Sequence, residues 1–230
     1  LAEASGKIDI VVGFVEEVAG HRFHNSAVYL SKGRVLHLHR KLFLPTYGMF
    51  QEGREYAPGE RLREFNAPFG PSGLLICEEL WHPTCAWLLA QAGAETIIVL
   101  SNGPALGARG DETVEVWREL VSVAARLQTT YMIYVNRVGC EEGLSFGGGS
   151  TVVDPYGRVV VEAPPLDEAL VFADLEPEIL RGARTAYPLL RDERLELCHR
   201  ELGRIRRKRY DLPGEEEPMP AEPTGKEDAP

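Results

Sequence analysis

Nowhere does this sequence contain an apolar run near the roughly 20 residues a helix needs to cross a bilayer. It does not open on a basic segment followed by an apolar one, so a cytoplasmic protein with no membrane partner is expected. Excess positive charge is missing too. The 25 Lys and Arg against 35 Asp and Glu give a net charge of −10, which speaks against a general nucleic-acid surface. Four cysteines, Cys77, Cys85, Cys140 and Cys198, are too few for a disulfide scaffold, and no CxxC pair suggests zinc. There is no phosphate loop either. The glycine cluster Gly147-Gly148-Gly149-Ser150 precedes a strand rather than a helix and lacks the lysine, so it reads as a turn at the rim of a pocket. No internal repeat is visible.

What is present is ordinary globular composition, 44% hydrophobic and 26% charged over 230 residues, enough for one large domain. Beyond Tyr210 the text becomes Pro- and Glu-rich, and residues 214–230 hold six acids and one lysine. Residues 211–230 are therefore expected to be a disordered acidic tail after a domain at 1–210. The basic run Arg204–Arg209 just before the tail reads as a solvated helix end favoured by the helix dipole.

Hydrophobic periodicity predicts a buried strand at Ile8–Val15 and a hairpin of Asn25–Leu30 and Arg34–His39 about Ser31-Lys32-Gly33. Leu44 to Glu60 is a long loop, dense in Gly and Pro, and loops of that size are usually functional. A short buried strand then ends at Cys77. Helix follows at Trp81–Ala92, strand at Thr96–Leu100, an amphipathic helix from near Asp111 to Gln128, and strand at Tyr131–Val135. Thr151–Val153 and Val159–Val161 flank the turn Asp154-Pro155-Tyr156-Gly157. Ala169–Ala173 is a further expected strand and Arg191–Tyr210 a helix. This order predicts an α/β domain with parallel and antiparallel strands under helices.

Cys77 stands where a buried strand breaks into Glu78-Glu79 and then a helix. A nucleophile at such a turn is exposed on a rigid backbone, and the next N–H can face a developing oxyanion. A buried structural cysteine is the plain alternative; Cys85, Cys140 and Cys198 read as structural. Thirty-six residues upstream (77 − 41), Lys41 opens the long loop. The strings HRKLFLP, YGMFQE and GLLICEELW, with FHNSAVYL before them and VLSN, VNRVGCEEGLSFGGGS and VVDPYGRVV after, resemble the nitrilase (carbon–nitrogen hydrolase) superfamily. The likeness covers about residues 8–200. LPTYGMFQE and ICEELW are most similar to the glutaminase domain of glutamine-dependent NAD synthetases.

The resemblance implies a nitrilase-like α-β-β-α sandwich of two mixed sheets that dimerises or forms a larger homo-oligomer. It implies cleavage of a linear, glutamine-like amide to carboxylate and ammonia through a thioester, with no cofactor. Lys41 and Cys77 match two members of the Glu–Lys–Cys triad, and Glu52 a supporting glutamate that positions the lysine. Tyr47, Glu78 and Ser101 match positions lining the glutamine pocket. The chemistry is consistent: a free thiol with a pKa of about 8.5 is mostly protonated at neutral pH, and a nearby ammonium favours the thiolate.

The family's catalytic glutamate belongs to an earlier strand and helix, further upstream than the 40 residues preceding Lys41. Glu3, Glu16 and Glu17 do not match it. The chain is expected to lack its N-terminal portion or to be a degenerate member, and to be at most weakly active. A glutaminase subunit serving an NAD synthetase-type partner, and a non-catalytic binding module, remain open alternatives. His37 and His39 share a strand face, but no third ligand stands at metal spacing, so no metal is expected. His82 reads as structural, and Asn136 and Arg137 as fixing loops.

Overall fold

The first three strands, β1 (Ile10–Val18), β2 (Arg22–Ser31) and β3 (Arg34–Arg40), pair antiparallel in that order. This computed structural model describes residues 1–105 and 110–212. β2 and β3 meet through Lys32 and Gly33 alone, with φ of 51° and 79°, the primed-turn geometry whose twist suits a hairpin. β1 differs from expectation. Val15 is 58% exposed, because β1 is an outer strand whose pairing among the described residues is with β2 alone.

A six-stranded sheet carries the rest of the core, in the order β12 (Val159–Glu162), β11 (Thr151–Val153), β8 (Tyr131–Asn136), β6 (Thr96–Ser101), β5 (Gly70–Ile76) and β4 (Phe65–Ala67). β5, β6 and β8 run parallel; β4, β11 and β12 are antiparallel additions at the edges. The parallel crossovers need helices. They are α2 (Pro83–Gln91), following the single turn α1 (Glu52–Glu55) in chain order, and α3 (Gly110–Gln128).

Alternation along the strands divides the core in two. Leu75, Ile97, Val99 and Met132 pack with Leu89 of α2 and with Val121 and Ala125 of α3. Leu74, Ile76 and Ile98 pack with Ala27 and Tyr29 of β2. The layers are thus helix, six-stranded sheet, three-stranded sheet. Gly73 permits the close helix approach, since a Cβ there would lie 2.6 Å from a methyl of Leu89.

A third small sheet holds β7 (Pro104–Ala105), β10 (Leu144–Gly147) and β9 (Val138–Glu141). Cys140 lies on β9. The strand expected at Ala169–Ala173 does not form: those residues pair with no sheet, and Leu170 and Phe172 are each 81% exposed. Their alternation met no neighbouring strand edge. The helix expected from Trp81 begins instead at Pro83, where proline suits the first helical turn, after a 3-10 turn over Cys77–Trp81.

Helix α4 (Pro177–Ala186) follows, then the short α5 (Leu189–Asp192). One compact unit spans Leu1–Arg191. A second begins at Asp192 and holds α6 (Leu195–Tyr210), whose last turn carries Arg207, Lys208 and Arg209 at the dipole's negative end. Most of the expected acidic tail, residues 213–230, lies outside the described residues. Among those described, no helix is long and apolar enough to cross a membrane.

Candidate active site

β5 ends at Ile76 and the chain turns at once. Cys77 has φ of +47°, the left-handed region that a residue with a Cβ rarely occupies. Such strain gathers where a structure must aim one side chain, as at a nucleophile on a strand-to-helix turn. Parallel register sets the neighbours. Ile76 pairs with Leu100 of β6, and Ser101 pairs with Asn136 of β8, so the carboxyl ends of three strands meet at one level.

Lys41 arrives from the other sheet. Its backbone N–H donates to Asn25 at 2.8 Å, continuing β3, and its side chain is 2% exposed. A buried ammonium needs a partner, and the long loop supplies one. The turn α1 presents Glu52, whose two carboxylate oxygens accept from Lys41 Nζ at 2.7 and 2.8 Å. An ammonium has three donors, so one remains.

These groups share a cavity of about 690 Å³, lined by Lys41, Glu52, Cys77, Glu78, Ser101 and Asn136 among others. The amine and sulfur expected to work together thus do open on one space. Ser101 Oγ donates to Cys77 Sγ at 3.3 Å. Burial pushes the Cys77 thiol up, the Ser101 hydrogen bond and the Lys41 ammonium pull it down, and Glu52 and Glu78 push it up; the balance is upward. The resting sulfur is therefore a thiol, and attack requires a proton acceptor. Two carboxylates, Glu52 and Glu78, line the cavity.

Tyr47 sits differently. It is 59% exposed and reaches the site through Glu78, donating to its carboxylate at 2.7 Å. That bond, more than burial, pushes its phenol up to about 12. Asn136 lines the cavity and also fixes loops, as expected: its oxygen accepts from Gly103 N–H and its amide donates to the Gly148 carbonyl, both at 2.9 Å. Through that second bond the glycine cluster is tied to the cavity wall. Arg137, also lining the cavity, has its guanidinium 4.3 Å above the Phe146 ring and pairs with Glu141.

The remaining candidates are placed elsewhere. Glu16 is held by Arg40 and Ser26, and the guanidinium keeps its carboxyl below the usual range. His82 stacks on Phe43 with ring centroids 3.6 Å apart. His37 stacks on Phe65, while His39 bonds Glu79, and no group of three metal-binding side chains occurs among the described residues. Cys85 is buried, which pushes its thiol up to about 12. Cys140 is exposed and not part of the cavity. Sequence reasoning did not single out Glu79, which is fully buried behind the cysteine turn. Its signal was a glutamate three residues after a strand-ending Ile76, the spacing of a carboxylate that caps backward onto a turn's first N–H.

A family profile described as carbon-nitrogen hydrolase matches residues 3–185. The chain belongs to the carbon-nitrogen hydrolase family. An (R)-stereoselective amidase from Pseudomonas is 36% identical over 83% of this chain and 65% of its own length. A glutamine-dependent NAD(+) synthetase from Acinetobacter baylyi is 31% identical over 74% of the chain, which spans 31% of that larger protein. Among solved structures, a carbon-nitrogen hydrolase from Helicobacter pylori superposes with a TM-score of 0.79 at 25% identity, covering 87% of this chain and 73% of the other.

Proposed function

We propose that this carbon-nitrogen hydrolase is a cysteine-dependent amidase acting on a linear, glutamine-like amide. Cys77 Sγ attacks the amide carbonyl carbon, and its proton passes to a carboxylate. Lys41 and the N–H of Glu78 stabilise the oxyanion. Collapse of the tetrahedral intermediate expels ammonia, which takes up the proton, and water then hydrolyses the thioester to the carboxylate. Glu52 holds the lysine and assists proton transfer. The observation that carries this reading is that Lys41, Glu52 and Cys77, distant in the chain, open on one cavity.

Glu78, set by Tyr47, offers an anion to an α-ammonium group, and Ser101 completes that side of the pocket. Arg137 on the same cavity supplies the opposite charge, which favours an amino-acid-like amide over a plain one. The α-β-β-α sandwich and a homodimer belong to the same proposal. Phe14 and Leu38, each 40% exposed on the outer face of the three-stranded sheet, leave apolar surface for a further layer.

A second reading, a binding module with little turnover, is favoured by Glu52 itself. Both its oxygens accept from Lys41 Nζ, so its carboxylate already serves to hold the lysine rather than standing free as a base. Supply of ammonia to an NAD synthetase-type partner is a third reading, supported by likeness to the synthetase. Ammonia release from glutamine and simple amides, with Cys77→Ala as control, tests them together. Slow release that disappears in the control fits the amidase. Binding of glutamine with no release fits the module.

A further inference from the structure

Glu79 has no exposed surface, yet its carboxylate accepts from three donors. Oε1 takes the N–H of Leu42 at 2.8 Å and Oε2 takes the N–H of Ile76 at 2.6 Å. His39 Nε2 lies between them, 3.0 and 2.8 Å from the two oxygens. Leu42 follows Lys41 directly, and Ile76 directly precedes Cys77. His39 stands two residues before the lysine on β3. One carboxylate therefore grips both flanks of the lysine and the near flank of the cysteine, joining segments that belong to different sheets.

We propose that Glu79 is a positioning residue that sets the separation of the Lys41 amine and the Cys77 sulfur, with His39 as the donor that orients it. The proposal rests on the hydrolase reading above. The chemistry requires a carboxylate. Each oxygen serves one segment, so glutamine, with a single oxygen, could satisfy one and would turn its NH₂ towards the donor of the other. Aspartate is one methylene shorter and could not reach both. A small displacement matters, because both the effect of an ammonium on a thiol and the assembly of a reactive geometry fall away steeply with distance.

The sign of one measurement separates positioning from a bystander charge. Iodoacetamide is reacted with the full chain across a pH series, and modification of Cys77 is followed by peptide mapping. Removing a buried anion that merely stood nearby would favour the thiolate and move the Cys77 profile to lower pH. Loosening Lys41 moves it higher.

Glu79→Gln is expected to shift the profile upward by about one pH unit, the size of effect a close opposite charge exerts. Cys140 serves as the internal standard and keeps its rate. His39→Leu shifts the Cys77 profile the same way, while His39→Gln, which keeps a donor, stays near the parent. An unchanged or downward profile in folded Glu79→Gln overturns the proposal. If that variant does not fold, an unchanged profile in His39→Leu overturns it, and so does failure of both variants to fold, which would make the role purely structural. The hydrolase reading fails separately, if a chloroketone analogue of glutamine leaves Cys77 of the parent unlabelled.

Discussion

The hydroxyl of Ser101 donates to the sulfur of Cys77 at 3.3 Å, from the end of the strand that runs parallel beside it. A donor to sulfur stabilises the thiolate more than the thiol, and this bond lowers a thiol that burial otherwise raises. Ser101→Ala should therefore move the pH profile of Cys77 alkylation upward. At neutral pH the rate should fall about threefold to tenfold, the worth of a single hydrogen bond. A profile that does not move would show that the contact carries no charge stabilisation.

Strain at Cys77 can be measured apart from chemistry. Cys77→Ala and Cys77→Gly both delete the thiol, but alanine keeps the Cβ that opposes φ of +47°. Glycine is ordinarily the less stable replacement. Here it should be the more stable by about 1 kcal/mol in denaturant unfolding, because the left-handed penalty is removed. Alanine equal to or better than glycine would contradict the strain.

His37 gives the fold a pH dependence. Burial, with the neighbouring His39, lowers its pKa from 6.5 to about 4, so the native state holds it neutral. Between those values the unfolded chain binds a proton that the native chain does not, and stability falls as pH drops. His37→Phe, able to stack on Phe65 as the imidazole does, should flatten this part of the loss between pH 6.5 and 4. Thermal midpoints across that range check it. Identical slopes in parent and variant would assign the pH dependence elsewhere.

Tyr47 should act on binding rather than on the nucleophile. Its hydroxyl holds Glu78, which lines the cavity, while Tyr47 itself does not. Tyr47→Phe is expected to weaken glutamine binding about fivefold by calorimetry, close to the value of one partly exposed hydrogen bond. The alkylation profile of Cys77 should stay near the parent's. The reverse pattern would move Tyr47 into the chemistry.

Much of this was legible because local chemistry and tertiary context agreed. The turn at Asp154 is one case: its carboxylate accepts from the N–H groups of Tyr156 and Arg158, which is what an Asp-Pro-x-Gly string favours. The Lys32-Gly33 hairpin is another. Cys77 stood out because a strand ended on it, and Lys41 through the resemblance of HRKLFLP to the family's lysine motif. Where the outcome depended on a distant partner, the text alone misled. Ala169–Ala173 alternates like a strand but met no edge to pair with, and β1 is apolar but faces outward along one side. Glu79 looked like half of an acidic pair at a turn. Its burial and its three donors depend on β3 passing behind the cysteine, which no local pattern records.

The most direct test is to treat the full chain with a chloroketone analogue of glutamine and map the label. The account predicts a thioether on Cys77, absent in Cys77→Ala and formed at least about tenfold more slowly in Lys41→Met, since the ammonium that favours the thiolate is gone. Label on Cys85 or Cys198 in preference to Cys77, or a Lys41→Met variant that reacts at the parent rate, would contradict it.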